Sequence, residues 1–362
     1  MQSLLYPMVF PLTSRVFGTL PDGEPVEAWT LQGSGGMLLE IITYGAAVTR
    51  LLVPDRHGRM ADVVLGFDNL DSYKTSRAYS GAIIGRVAGR TTGARFSLEG
   101  NTYELARNDG LNHLHGGIEG FDKKVWSACP MQNPRGSPSL RLTYRSADRE
   151  EGYPGNVDVA VIYTVTDENV LRVETEAVSD RPTPFNLTQH PYFNLAGEAA
   201  GPISDHLLQI HSDKFVPTDE QMTLLGQLIS VNGQHNDFRE LRSLGYAVPL
   251  LFRNHGDLYR IRRTGERLAQ AKPVPAARLV HPGSGRVLEL STTESYVQLY
   301  TGVGLDGSLT GKSGTRYARH AGVCLECEGY PDGANIPSMG NNILRPGKAR
   351  SEITSYSFST LP

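Results

Sequence analysis

The sequence predicts an all-β fold, a large sandwich or barrel, and three observations carry that prediction. Short runs of strand-forming residues recur along all 362 residues. Several alternate with a period of two: Leu171, Val173, Thr175 and Ala177 interleave with Arg172, Glu174 and Glu176, which is the pattern of a half-buried strand and not of a helix. Glycine (39) and proline (22) punctuate the runs, as turns between short strands require.

In chain order the runs are Met37–Tyr44, Ala47–Val53, Asp62–Leu65, Ala94–Leu98, Ser139–Tyr144, Val157–Thr166, Val170–Val178, His206–His211, Arg286–Ser291, Tyr296–Thr301 and Ile353–Ser359. Amphipathic helices are scarce; Asn69–Ser76 and Asp237–Leu244 have room for a turn or two. Glu266–Ala277 reads as a surface loop. No fixed-period repeat and no biased linker divides the chain, so residues 1–362 are expected to form one domain, with 1–15 as an N-terminal extension.

Composition excludes several function classes. Lys and Arg total 35 against 38 Asp and Glu, a net charge of −3 with the basic residues scattered. No basic footprint marks a nucleic-acid partner. No apolar run approaches a membrane span, and the first residues lack the basic start and apolar stretch of a signal peptide. The cytoplasm is the expected compartment. Three cysteines, Cys129, Cys324 and Cys327, cannot form a disulfide framework. Cys324 and Cys327 form a C-x-x-C, but on a strand they point to opposite faces and cannot jointly hold a metal.

That strand draws attention for another reason. In Gly322–Asp332, side-chain alternation puts Cys324, Glu326 and Glu328 on one face. A carboxylate among apolar neighbours is costly unless it has a partner or a task. The strand's end at Gly329 is expected to carry Glu328 into solvent.

Three other stretches are more polar than their setting. In Ile83–Arg95, Arg90 sits in a Gly-rich turn that can aim a guanidinium at a ligand; a surface position fits the pattern equally, as it does for Arg86. In Asn108–Phe121, His113 and His115 form an H-x-H. Neighbouring acids are not at ligand spacing for a metal, which leaves either a loop with one packed histidine or a His115 that hydrogen-bonds a polar ligand. In Pro184–Gly197, His190 lies among aromatics and side-chain amides, and Pro191 biases it toward extended backbone. A packed core histidine and a general acid both fit there.

Taken together the stretches resemble the aldose 1-epimerase (galactose mutarotase) family. The resemblance is carried by Gly45-Ala-Ala-Val-Thr, Ile84-Gly-Arg-Val-Ala-Gly-Arg, Leu114-His-Gly-Gly, Glu151-Gly-Tyr-Pro-Gly-Asn and Asn186-Leu-Thr-Gln-His-Pro-Tyr-Phe-Asn. Val297-Gln-Leu-Tyr-Thr-Gly, Cys324-Leu-Glu and Tyr330-Pro-Asp-Gly-Ala-Asn follow in order. It implies a galactose-mutarotase-like β-supersandwich of mostly antiparallel strands with a monosaccharide cleft, acting on free aldoses without metal or other cofactor. It further implies Glu326 as catalytic base and His190 as catalytic acid, with Arg90, His115, Asp257 and Gln298 binding substrate. Asp257 is assigned by its place between the other motifs. The chain departs from the family at Gly89 and Val303, where Asn is common. It departs also at Gln189-His190-Pro191 and at His255-Gly-Asp-Leu-Tyr.

The implied chemistry suits these residues. Anomers interconvert by ring opening: the C1 hydroxyl loses a proton while the ring oxygen gains one. One group must be ionised and the other protonated, and a carboxylate with an imidazolium meets that need. His190 is expected to be held protonated by Glu326 and other acids. Three alternatives remain from other classes: a non-catalytic sugar-binding module, a hexose-6-phosphate 1-epimerase, which would want an Arg or Lys cluster, and a glycosidase, which would need a second carboxylate across the cleft.

Overall fold

A computed structural model describes residues 12–132, 136–263 and 272–362. Its largest sheet has nine strands, ordered Ser127–Gln132, Pro138–Ser146, Val157–Val165, Val170–Ser179, Arg350–Thr360, Arg286–Thr292, Val274–Val280, Leu207–Ile210 and Arg242–Ser243. The pairings are antiparallel. One five-stranded sheet runs from Thr13–Thr19 to Met60–Asp62 in chain order. Another is ordered Ile229–Ser230, Lys214–Val216, Leu258–Arg260, Tyr296–Tyr300 and Cys324–Glu328.

The three sheets share one apolar core. Leu39, Ile41 and Leu51 of the first, Leu140, Val161 and Leu288 of the nine-stranded sheet, and Val297, Leu299 and Leu325 of the last are all buried in the same cluster. The alternation read in Val170–Ser179 is the cause: Leu171, Val173 and Ala177 enter that cluster, while Arg172 and Glu174 pair with each other at 2.8 Å. Inward residues supply the apolar burial that stabilises the fold, and outward ones stay hydrated.

Local expectations fare unevenly. The Asn69–Ser76 turn is a helix over Leu70–Thr75, capped by the Asn69 side chain accepting from the Ser72 N–H. Asp237–Leu244 is not helical: Arg242–Ser243 form an edge strand, and the helical turn begins at Leu244 and ends at Ala247. The expected loop at Glu266–Ala277 is replaced at its end by the Val274–Val280 strand, whose Ala276, Ala277 and Leu279 are buried; residues 266–271 lie outside the described residues. Within the expected N-terminal extension, Thr13, Ser14 and Arg15 pair with Thr30, Trp29 and Ala28 and so belong to the sheet.

Arg86, for which a surface place was open, is 2% exposed. Its guanidinium donates to the carbonyls of Ala147, Pro154 and Gly155 and to Ser146 Oγ. It ties the Gly-Arg segment to the Tyr153-Pro-Gly turn, where burial is matched by hydrogen bonds. Among the described residues no helix is long and apolar enough to cross a membrane.

Candidate active site

The Cys324–Glu328 strand ends the last five-stranded sheet, and all five of its residues are buried. Its two faces differ as alternation requires. Leu325 and Cys327 join the main core, whereas Cys324, Glu326 and Glu328 face the other way. Cys324 Sγ sits 3.6 Å from His190 Nδ1, and Glu326 and Glu328 line a cleft of about 350 Å³. The C-x-x-C residues therefore part company, as expected.

Arg90, His115, His190, Asp257, Gln298 and Glu326 all line this cleft. They come from separate parts of the chain. The two-residue strand Arg90–Thr91 pairs with His113–Leu114, which brings Arg90 and His115 to the same wall. His115 has φ +54°. Gly116, next to it, has φ +83°, and a Cβ there would lie 1.9 Å from the Gly85 carbonyl oxygen, so only glycine fits. His113 turns away: it is fully buried, with Nδ1 2.7 Å from the Ala106 carbonyl. The H-x-H is not a metal pair.

His190 follows the Thr188–Gln189 strand, which pairs with Ile83–Ile84. Its Nε2 lies 3.6 Å from Glu326 Oε2. Gln298 stands opposite Glu326 in register, its Nε2 donating to the Leu299 carbonyl at 2.6 Å. Asp257 precedes the Leu258–Arg260 strand and accepts from Asn236 Nδ2 at 2.8 Å. Arg90 donates through Nε to Asp109 at 2.7 Å, its side chain 21% exposed.

Burial sets the electrostatics. It pushes the Glu326 carboxyl up to about 8, with Arg90 pulling the other way. It pushes His190 down to about 4, and His255 nearby adds to that. The expectation of a standing imidazolium is thus corrected: at 3.6 Å, attraction to Glu326 does not offset the loss of water around either ring or carboxyl. Between those limits the pair holds one proton. Burial also raises Asp257 to about 6.

Glu328 is corrected as well. The chain does not carry it into solvent: it is 2% exposed, and its Oε2 has no hydrogen-bond partner. Burial, Glu326 and Glu294 hold it well above the usual carboxylate range. Beyond it the chain stays inside, because Asn186 Oδ1 accepts the Gly329 N–H at 2.7 Å and Tyr330 and Asp332 are buried.

Sequence reasoning missed several lining residues. His255 stands two residues before Asp257, its ring centroid 4.8 Å from that of Tyr300. Tyr79 lies 4.7 Å from the His115 ring. Arg77 stands exposed at the rim. Tyr300 lay inside a quoted motif; Tyr79 and Arg77 carried no local signal. Trp126 is in the core and donates to the Phe121 carbonyl, whereas Tyr192 lines the cleft with its ring 5.1 Å from that of His190.

His115, His190 and Glu326 each place a ligand-type atom within 4.8 Å of the others. The His115 ring argues for a sugar over a cation. Its Nδ1 accepts the Gly89 N–H at 3.2 Å, and burial keeps the ring neutral, so the ring proton is on Nε2. The ring offers the cleft a donor where a metal would need a lone pair.

A family model for aldose 1-epimerase matches residues 27–357. Galactose mutarotase from Bos taurus is 42% identical over 349 residues, covering 96% of this chain and 98% of the relative. The aldose 1-epimerase of Escherichia coli K12 is 33% identical, covering 93% and 96%. Among solved structures, an aldose epimerase homologue from C. elegans superposes with a TM-score of 0.84 at 27% identity, covering 92% and 98%. The galactose 1-epimerase of Lactobacillus acidophilus gives a TM-score of 0.83 at 24% identity, covering 97% and 99%, a likeness of fold. With the all-β architecture and a cleft that gathers the quoted motifs, the chain belongs to the aldose 1-epimerase family and is an enzyme of the isomerase class.

Proposed function

We propose that this chain interconverts the α and β anomers of free aldoses of the glucose and galactose class. Glu326 takes the C1 hydroxyl proton and His190 protonates the ring oxygen. The observation that carries the reading is the buried His190–Glu326 pair, 3.6 Å apart at the wall of a sugar-sized cleft.

The reaction needs one proton shared between two groups. In the working arrangement the proton is on His190 and Glu326 is ionised. The C1 hydroxyl gives its proton to Glu326 as His190 delivers its own to the ring oxygen, and the C1–O5 bond breaks. The aldehyde rotates about C1–C2. Closure on the other face runs the transfers backwards, with Glu326 returning a proton to O1 and His190 recovering one from the C5 hydroxyl. The pair's pKa limits of about 8 and about 4 keep this one-proton state dominant at neutral pH. In the free protein that proton rests on Glu326. Arg90, which favours the carboxylate, and the sugar hydroxyl that it will accept from support its passage to His190. Each positioned transfer is worth roughly 10² to 10⁴-fold.

His115 Nε2–H, Arg90, Asp257 and Gln298 are assigned to hold the sugar's oxygens. A pure binding module has no use for a buried acid and base. A phosphorylated substrate is disfavoured because Arg90 is already paired with Asp109 and Arg77 is at the rim.

Polarimetry or proton NMR on freshly dissolved α-D-glucose and α-D-galactose tests the proposal. The expected result is accelerated approach to anomeric equilibrium at pH 7, lost by at least 10²-fold in Glu326→Gln and His190→Asn. No acceleration on any free aldose would hand the site to the binding-module reading. Faster turnover of hexose 6-phosphates would hand it to the phosphorylated class.

A further inference from the structure

Glu328 is a buried carboxyl that the mechanism above does not use. It shares a face with Cys324 and Glu326, each step along that face being roughly 7 Å. It lines the cleft, and its Oε1 stands 3.8 Å from where a Cβ of Gly89 would be. Its Oε2 has no partner. Among the described residues no cation pairs with it: the nearby Arg350 is engaged by Glu294 at 3.4 Å and Glu352 at 3.2 Å. A partnerless carboxyl in a cleft wall is costly unless a ligand completes it.

The order of groups along the strand says which ligand atom that is. His190 lies over the Cys324 end, with Nδ1 3.6 Å from Cys324 Sγ. Glu326 comes next, then Glu328. In a pyranose, C1 is bonded to O5 on one side and to C2 on the other. With O5 at His190 and O1 at Glu326, the ring continues past C1 toward Glu328. This placement rests on the acid and base roles proposed above.

We propose that Glu328 is a specificity-determining residue that hydrogen-bonds the C2 hydroxyl of the aldose. The carboxyl is held neutral by burial and by Glu326 and Glu294, so it both donates and accepts. A site built to pair a hydroxyl rejects the analogue that lacks it, since the buried partner is then left unpaired.

The test compares D-glucose with 2-deoxy-D-glucose, each as acceleration over its own uncatalysed mutarotation. In the wild type, kcat/KM on that scale is expected to favour glucose by about tenfold or more. Glu328→Ala, or Glu328→Met where volume must be kept, should bring the two sugars within about twofold of each other, through loss on glucose alone. Glu328→Gln, which retains a donor and an acceptor, should keep most of the preference. A wild type indifferent to the C2 hydroxyl overturns the proposal. So does a folded Glu328→Ala or Glu328→Met variant that keeps the tenfold preference, or one that loses both sugars equally. Glu326→Gln separates the two levels. If that variant still turns over glucose, the acid–base reading has failed. If it is inert while Glu328→Ala keeps the preference, only the C2 contact has failed.

Discussion

Glu326→Gln should yield an inactive enzyme that is more stable than the wild type, and increasingly so as pH rises. The Glu326 carboxyl titrates near 4.5 when exposed and at about 8 in the folded protein. The folded state therefore binds the proton more tightly. Its contribution is fully present below pH 4.5 and is lost progressively as pH rises toward 8. Linkage puts the loss at about 1 kcal/mol at pH 5 and about 4 kcal/mol at pH 7.5, a difference of about 3 kcal/mol. Glutamine has nearly the same shape and no proton to lose. Urea unfolding of both proteins at pH 5 and pH 7.5 measures the gain as a shift in midpoint at constant m-value. A gain of the same size at both pH values, or a loss at pH 7.5, refutes the buried neutral carboxyl.

Other outcomes follow from the same geometry. The pH profile of kcat/KM should fall about tenfold per unit above pH 8 as the last shared proton leaves and again below pH 4 as His190 takes a second, with a smaller step from Asp257 between these limbs; activity still rising at pH 9.5 would contradict it. Asp257 titrates at about 6, so KM should change across pH 6 in the wild type and not in Asp257→Asn, as initial-rate kinetics would reveal. Gly89→Ala should cost about 1–3 kcal/mol in denaturant unfolding and impair turnover, because Gly89 has φ +74° and its Cβ would meet Pro331 Cβ and Cγ at 2.5 Å. Lys312→Met should cost about 3–5 kcal/mol, seen as a lowered unfolding midpoint. It removes the buried ammonium that holds Asp62 at 2.6 Å and the Thr49 and Val64 carbonyls.

Much of this was legible in the chain. Period-two alternation located the strands whose one face is buried, such as Val170–Ser179, and placed Glu326 on the polar face of its own strand. It missed Thr13–Thr19, an edge strand mostly exposed, because a strand with no buried face has no apolar period. It also misjudged Glu328. The Gly-Tyr-Pro that follows looks like a turn into solvent, but Asn186, distant in sequence, pins Gly329 and keeps the segment inside. Tyr79 and His255 reach the cleft only through tertiary packing. The ionisation of the His190–Glu326 pair was misjudged for a related reason. The motifs name partners, whereas proton affinity follows from how much water the whole fold removes.

The two members of the proposed acid–base pair come from different sheets and are far apart in the chain: His190 follows a strand paired with Ile83–Ile84, and Glu326 lies on the Cys324–Glu328 strand. Catalysis is therefore an assembly readout. Closing the His190–Glu326 gap requires long-range strand pairing, which is slow. With the proposed roles, a chain still emerging from the ribosome with His190 already made would remain inert until its C-terminal strands were complete.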